Sequence, residues 1–147
     1  MRVVESIEIN RPVEEIFSYA ADPKHFPEWS GIILEVQQEA PGSLREGDRF
    51  TTVSKFLGRR FETPFEVTAH EPNRQHSHRS TGGPLPQEYT STFEETAGGG
   101  TRMTQVVEGE PGGFFRLAGP LLERAGKRQF KADLETLKDL LEAQGAP

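Results

Sequence analysis

The last quarter of the chain carries the pattern of a helix. Phe130, Leu134, Leu137 and Leu141 recur at three- and four-residue steps, which makes one apolar stripe. Lys127, Arg128, Lys131, Asp133, Glu135, Lys138 and Asp139 stand between them, most on the solvent side. Phe115, Ala118, Leu122 and Ala125 extend the apolar face upstream, so the spacing predicts a helix from Phe114 to about Ala143. Gly145 sits where a C-cap belongs, with Pro147 behind it. About 30 residues at a rise of about 1.5 Å give roughly 45 Å of helix. Gly119-Pro120 predicts a kink, or a helix start at Pro120. Gly126 lies on the buried face, one turn before Phe130. A glycine inside a helix costs about 1 kcal/mol against alanine, so it serves either close backbone packing or room for a ligand.

Before this helix the period falls to two. Arg2 to Ile9 alternates, with Val3, Ile7 and Ile9 on one face, and predicts a first strand. Asn10 or Arg11 caps a helix with Pro12 in its first turn, Glu14 and Glu15 at its positive end, and Val13, Ile16, Phe17 and Ala20 as its buried stripe. Asp22-Pro23 ends it. Lys24 to Trp29 reads as a short second helix or turn anchored by Phe26 and Trp29. Six strands follow: 32–38, 49–56, 60–69, 74–80, 87–95 and 101–108. Pro41-Gly42, Leu57-Gly58, Glu71-Pro72-Asn73, Gly98-Gly99-Gly100 and Pro111-Gly112-Gly113 punctuate them, and Pro64 predicts a weakened strand or a bulge. Strands joined by short turns make an antiparallel meander. The predicted fold is α+β: a seven-stranded antiparallel sheet curved around a long C-terminal helix, with two short helices between strands 1 and 2.

Composition narrows the function classes. The 147 residues predict a single domain, 1–147, large enough for a core and a pocket. A net charge of −6 argues against nucleic acid or an anionic membrane surface as partner. There is no cysteine, hence no disulfide framework or thiol chemistry. The opening MRVVESIEI is a charged strand pattern, unlike a signal peptide, and no apolar run has membrane-spanning length. The expectation is a cytoplasmic protein with no cofactor.

Several phrases carry a family resemblance. "SIEINRPVEEIFSYAADPKHFPEW" resembles the opening of the SRPBCC superfamily of helix-grip proteins, which includes START lipid-binding domains, birch-pollen-allergen-like proteins and bacterial polyketide cyclase/dehydrase-like proteins. "FEVTAHEPNR" resembles the turn between its fourth and fifth strands, "GGGTRMT" its last hairpin and "FKADLETLKDLLE" the end of its helix. The resemblance covers essentially the whole chain. It implies an apolar cavity between sheet and long helix, and it leaves function open, since carriers, receptors and enzymes share this scaffold.

The residues that would face such a cavity are Phe26, Trp29, Phe50, Thr52, Phe61, Phe65, Leu122, Gly126 and Phe130, with a polar minority of His76, His78, Tyr89, Ser91 and Gln105. Trp29 is either core packing or pocket wall. Hairpin arithmetic pairs Val67 with His76, His78 with Tyr89, and Ser91 with Gln105, with His76 beside Ser91. In the pattern of the superfamily, the positions of His76 and His78 usually carry apolar residues. These histidines are exposed or merely hydrogen-bonded, or they orient a ligand, or, with Tyr89, they are candidates for acid/base catalysis. His76 and His78 point the same way along a strand, but no third metal ligand is evident: His70 lies near a turn and His25 in the first helical region, so no metal site is expected. The leading expectation is a binding protein for a small hydrophobic or amphipathic molecule, lipid-, quinone- or polyketide-like. A cyclase or dehydratase and an interaction module with a filled core are the alternatives. A cavity of several hundred cubic ångströms, on the order of ~300 Å³ or more, separates the first two from the third. Ligand identity and oligomeric state stay open.

Overall fold

The computed structural model describes residues 1–39, 44–110 and 119–144. Pro41-Gly42, Pro111-Gly112-Gly113, the upstream apolar positions Phe114, Phe115 and Ala118, and the Gly145 cap with Pro147 lie outside the described residues.

Strand β1 spans Arg2–Ile9, and helices α1 (Val13–Ala20) and α2 (Phe26–Trp29) follow it. Then come β2 (Ile33–Gln38), β3 (Arg49–Phe56), β4 (Arg59–Glu71), β5 (Gln75–Ser80), β6 (Gln87–Glu95) and β7 (Thr101–Gly109), and helix α3 (Gly119–Gln144). The strands form one seven-stranded sheet in the order β1-β7-β6-β5-β4-β3-β2, every neighbouring pair antiparallel. β2 to β7 therefore meander, and β1 closes the edge beside β7.

Local chemistry explains the turns. Leu57 and Gly58 both take positive φ, 51° and 76°, which suits the twist of the β3–β4 hairpin. Helix α1 starts differently from expectation. Pro12 itself occupies the N-cap, with extended φ and ψ, and no side chain caps the first turn. Asp22 instead caps the short 3₁₀ turn Pro23–His25, accepting from Lys24 N–H at 3.1 Å.

Helix α3 runs from Gly119, with Pro120 in its first turn, where the missing N–H leaves no internal bond unmade. Leu122, Gly126, Phe130, Leu134, Leu137 and Leu141 form its buried stripe, as the spacing predicts. Asp133 is buried with them, so it is a correction to the wet face drawn from the charge pattern. Leu134, Leu137 and Leu141 pack with Ile9, Ile16, Phe17, Phe93 and Met103 in the main core. Leu122 belongs with Leu85 at the opposite end, and Phe130 with Val3 and Val107 between them.

One register departs from the hairpin arithmetic. Val67 pairs with His78, not His76, and a bulge at Thr68 then sets Ala69 against Ser77 and His70 against His76. The inserted residue flips the parity of β4, so His70 joins the inward face in place of Ala69. A two-residue shift preserves the face of His76 and His78, and both are buried, 2% and 7% exposed.

Candidate functional site

The inner face of the sheet and the N-terminal half of α3 enclose a pocket. Phe26 and Trp29 from α2, Thr52 from β3, and Phe61 and Phe65 from β4 line one side. His76 and His78 from β5, Tyr89 and Ser91 from β6, and Gln105 from β7 line the floor. Leu122, Gly126 and Phe130 from α3 form the roof. Phe50 does not reach the pocket surface. It stacks on Phe65, its partner across β3 and β4, at 5.3 Å between ring centroids, and lies edge-on to His78 at 5.1 Å.

The pocket is narrow. Its crevice volume, open mouth included, is about 1040 Å³, but only about 80 Å³ is wide enough for the centre of a water molecule. The interior is thus not filled by side chains, and the open part falls short of the several hundred cubic ångströms expected. That space holds several waters.

Gly126 resolves one alternative. Among the described residues, a Cβ built there would meet only Phe130 Cε2, at 3.9 Å, an ordinary contact. Close backbone packing would require a tighter neighbour, so the glycine leaves space.

The floor is unusually polar for a core. His76 stands opposite Ser91, His78 opposite Tyr89, and Ser91 opposite Gln105, as the turns predict. The Tyr89 ring stacks on His78 at 4.9 Å with 21° between planes. Phe65 and Phe26 pack against the same imidazole at 4.8 and 5.7 Å. His76 Nε2 lies 3.2 Å from His78 Nδ1, and His76 Nδ1 lies 3.0 Å from His70 Nδ1. Burial lowers the pKa of His76 to about 4, with the neighbouring His70 adding to the effect and Asp22 opposing it. Burial and then His76 push His78 well below the ordinary range. Burial, the largest effect at both rings, thus favours neutral imidazoles.

Two polar groups lack a partner among the described residues although they line this pocket: the indole Nε1 of Trp29 and the Oε1 of Gln105. A third pocket group, Asp133, is well satisfied. Its Oδ1 accepts from Gly31 N–H at 2.9 Å and Gln129 Nε2 at 2.7 Å, and its Oδ2 faces Ser30 Oγ at 3.5 Å. Burial raises its pKa and these hydrogen bonds hold it down. Desolvation and then the Asp133 charge raise the Tyr89 phenol, which stays protonated at neutral pH.

The model of the family described as "polyketide cyclase / dehydrase and lipid transport" matches residues 1–142. The chain belongs to this family. An uncharacterized protein of Mycobacterium tuberculosis H37Rv is 29% identical over 118 residues, which cover 78% of this chain and 50% of that protein. The chain thus spans about half the length of the curated relatives it matches. A START superfamily protein from Mycobacterium smegmatis superposes with a TM-score of 0.82 at 16% identity, covering 97% of this chain and 98% of the other. The Zhui aromatase/cyclase from Streptomyces sp. R1128 superposes with a TM-score of 0.81 at 14% identity, covering 99% and 96%. These likenesses establish the helix-grip fold of the SRPBCC superfamily.

Some pocket residues escaped the pattern. Asp133 was legible in principle, three residues after Phe130 and four before Leu137, but its charge placed it outside. His70, which meets His76 but does not itself line the pocket, could not be found by alternation, because the Thr68 bulge breaks it. Ser54, Leu85, Val107 and Met1 also line the pocket, and of these Ser54 shares the parity of Thr52. Among the described residues, no three His, Cys, Asp or Glu side chains are placed to hold a metal ion, and no helix is long and apolar enough to cross a membrane.

Proposed function

We propose that the protein binds a small hydrophobic or amphipathic molecule, lipid-, quinone- or polyketide-like, between the sheet and α3. The observation that carries this reading is the pair of unpartnered groups, Trp29 Nε1–H and Gln105 Oε1, in a largely apolar pocket. A buried polar atom without a partner costs about 1–3 kcal/mol. A guest that accepts from the indole and donates to the amide removes both costs, while its apolar body covers Phe61, Phe65, Leu122 and Phe130. Such a guest is amphipathic. One larger than a few waters must displace wall side chains.

Trp29 is the only tryptophan, so its fluorescence reports on the pocket without a label. Titration with dodecanoate, a 1,4-naphthoquinone and a hydroxyanthraquinone should change Trp29 emission saturably for at least one probe. Native mass spectrometry of the purified protein should show an added small-molecule mass. No saturable change with any probe, together with a bare protein mass, would overturn the reading.

A second reading, a cyclase or dehydratase acting on the bound molecule, is favoured by the neutral His78 stacked on Tyr89 at the pocket floor. Turnover of a poly-β-ketone substrate that disappears in His76→Ala would support it. Binding without turnover would leave a carrier.

A further inference from the structure

We infer that His70, His76 and His78 form a proton relay from the half-exposed end of β4 to the pocket, and that the pocket takes a carbonyl compound whose α-proton His78 exchanges; this rests on the binding reading above. Three of the four histidines stand in one line. Each nitrogen of the central His76 faces a nitrogen of another imidazole, at 3.0 and 3.2 Å. His70 is half-buried, at the outer end. His78 is buried and lines the pocket. The line exists only because the Thr68 bulge turns His70 inward.

A neutral imidazole has one N–H donor and one bare acceptor nitrogen. The line therefore has two self-consistent polarities. In the first, His70 Nδ1–H donates to His76 Nδ1, His76 Nε2–H donates to His78 Nδ1, and His78 keeps its Nε2–H. In the second, both bonds are reversed and His78 Nε2 is bare. A proton arriving at His70 Nε2 converts the first into the second. The His70 Nδ1 proton passes to His76, the His76 Nε2 proton passes to His78, and the His78 Nε2 proton leaves to the ligand. One proton enters and one leaves. In the reverse direction, the ligand's α C–H bond breaks and its proton goes to His78 Nε2. The electron pair moves into the adjoining C–C bond and onto the carbonyl oxygen. Return of a proton from His78 to the carbon restores the ketone.

The surroundings suit this. Neutral rings are required, and burial is the first cause lowering the proton affinity of all three. The charged groups acting on the outer end are Asp48 and Asp22, which favour a transient proton on His70, and Asp22 acts on His76 as well. At the inner end His78 faces the neutral Tyr89 phenol, itself raised by burial and Asp133. Phe17 packs on His70 at 5.1 Å, and Phe26, Phe50 and Phe65 surround His78 within 6 Å. The unpartnered Trp29 Nε1–H is a donor for the carbonyl oxygen in the same pocket.

Nitrogen-15 NMR of histidine-labelled protein at pH 7 tests the line without a ligand. Couplings across both N–H···N bonds, and ring shifts averaged between the two tautomers, are expected. Three rings locked in single tautomers would overturn the relay. The activity is tested with 2-tetralone in deuterium oxide, following loss of its α-proton signals. The protein should accelerate exchange over buffer, and His78→Phe should abolish the acceleration. His70→Ala should slow exchange by about 10- to 100-fold with the tetralone affinity read by Trp29 emission unchanged, and free imidazole should restore the rate. His70→Ala exchanging at the parent rate would overturn the relay while binding stands. Absence of any Trp29 response to tetralone would instead count against this ligand class, with the relay itself decided by the NMR result.

Discussion

The two halves of α3 do different work. Toward its C-terminus, Leu134, Leu137 and Leu141 are at most 3% exposed and meet Ile9, Ile16, Phe93 and Met103 in a dense apolar core. Toward its N-terminus, Leu122, Gly126 and Phe130 roof a crevice whose floor carries histidines, a tyrosine and an amide oxygen without a partner among the described residues. One continuous helix thus anchors on its C-terminal half and covers a pocket with the other. Substitutions should separate the same way: stability effects at one end, ligand effects at the other.

The comparison breaks hardest at Leu137, which is fully buried. Leu137→Ala removes packed methyl groups and leaves a void, and should cost about 2–5 kcal/mol in urea unfolding. A loss below about 1 kcal/mol would mean that the anchoring half is as loosely packed as the roof.

Acidification reaches the floor. A histidine whose folded pKa is lowered contributes stability that is full above its ordinary value near 6.5 and is lost as pH falls through the folded value. For His76 that window runs from about 6.5 down to about 4, and the loss is on the order of 3 kcal/mol. His70 and His78 act in the same direction, while the raised Asp133 opposes them at the acidic end. Urea midpoints at pH 7 and pH 5 should differ in the parent and converge in His76→Phe/His78→Phe. Ligand affinity should hold on acidification until the pH nears 4, where His76 charges.

Gly126 sharpens the contrast from the other side. Gly126→Leu should block the pocket and abolish the Trp29 response to ligand with little change in melting temperature. A large drop in melting temperature would restore the packing explanation, since overpacking costs about 1–3 kcal/mol. The smallest effect belongs to Gly126→Ala. Among the described residues its methyl meets only Phe130, at 3.9 Å, so the helix should gain up to about 1 kcal/mol by calorimetry.

Periodicity and turn chemistry were enough for the element order, the meander and the inward faces of His76, His78, Tyr89, Ser91 and Gln105, because alternation is local and short turns transmit it from strand to strand. They were also enough for the buried stripe of α3. Tertiary structure alone decided the rest. The Thr68 bulge is the outcome of fitting β4 against two neighbours at once, and it sent Ala69 off the inward face and His70 onto it. Phe50 carries the same inward parity as Thr52, yet its ring is packed among Phe26, Phe65 and His78 and does not line the pocket, a packing outcome with no signature in spacing. Asp133 is buried because Gly31 and Gln129 supply donors from a distant turn and the preceding helical turn, compensation that charge pattern cannot reveal. The width of the crevice is likewise a difference between two large surfaces, the sheet and the helix, and a small shift of either sets it.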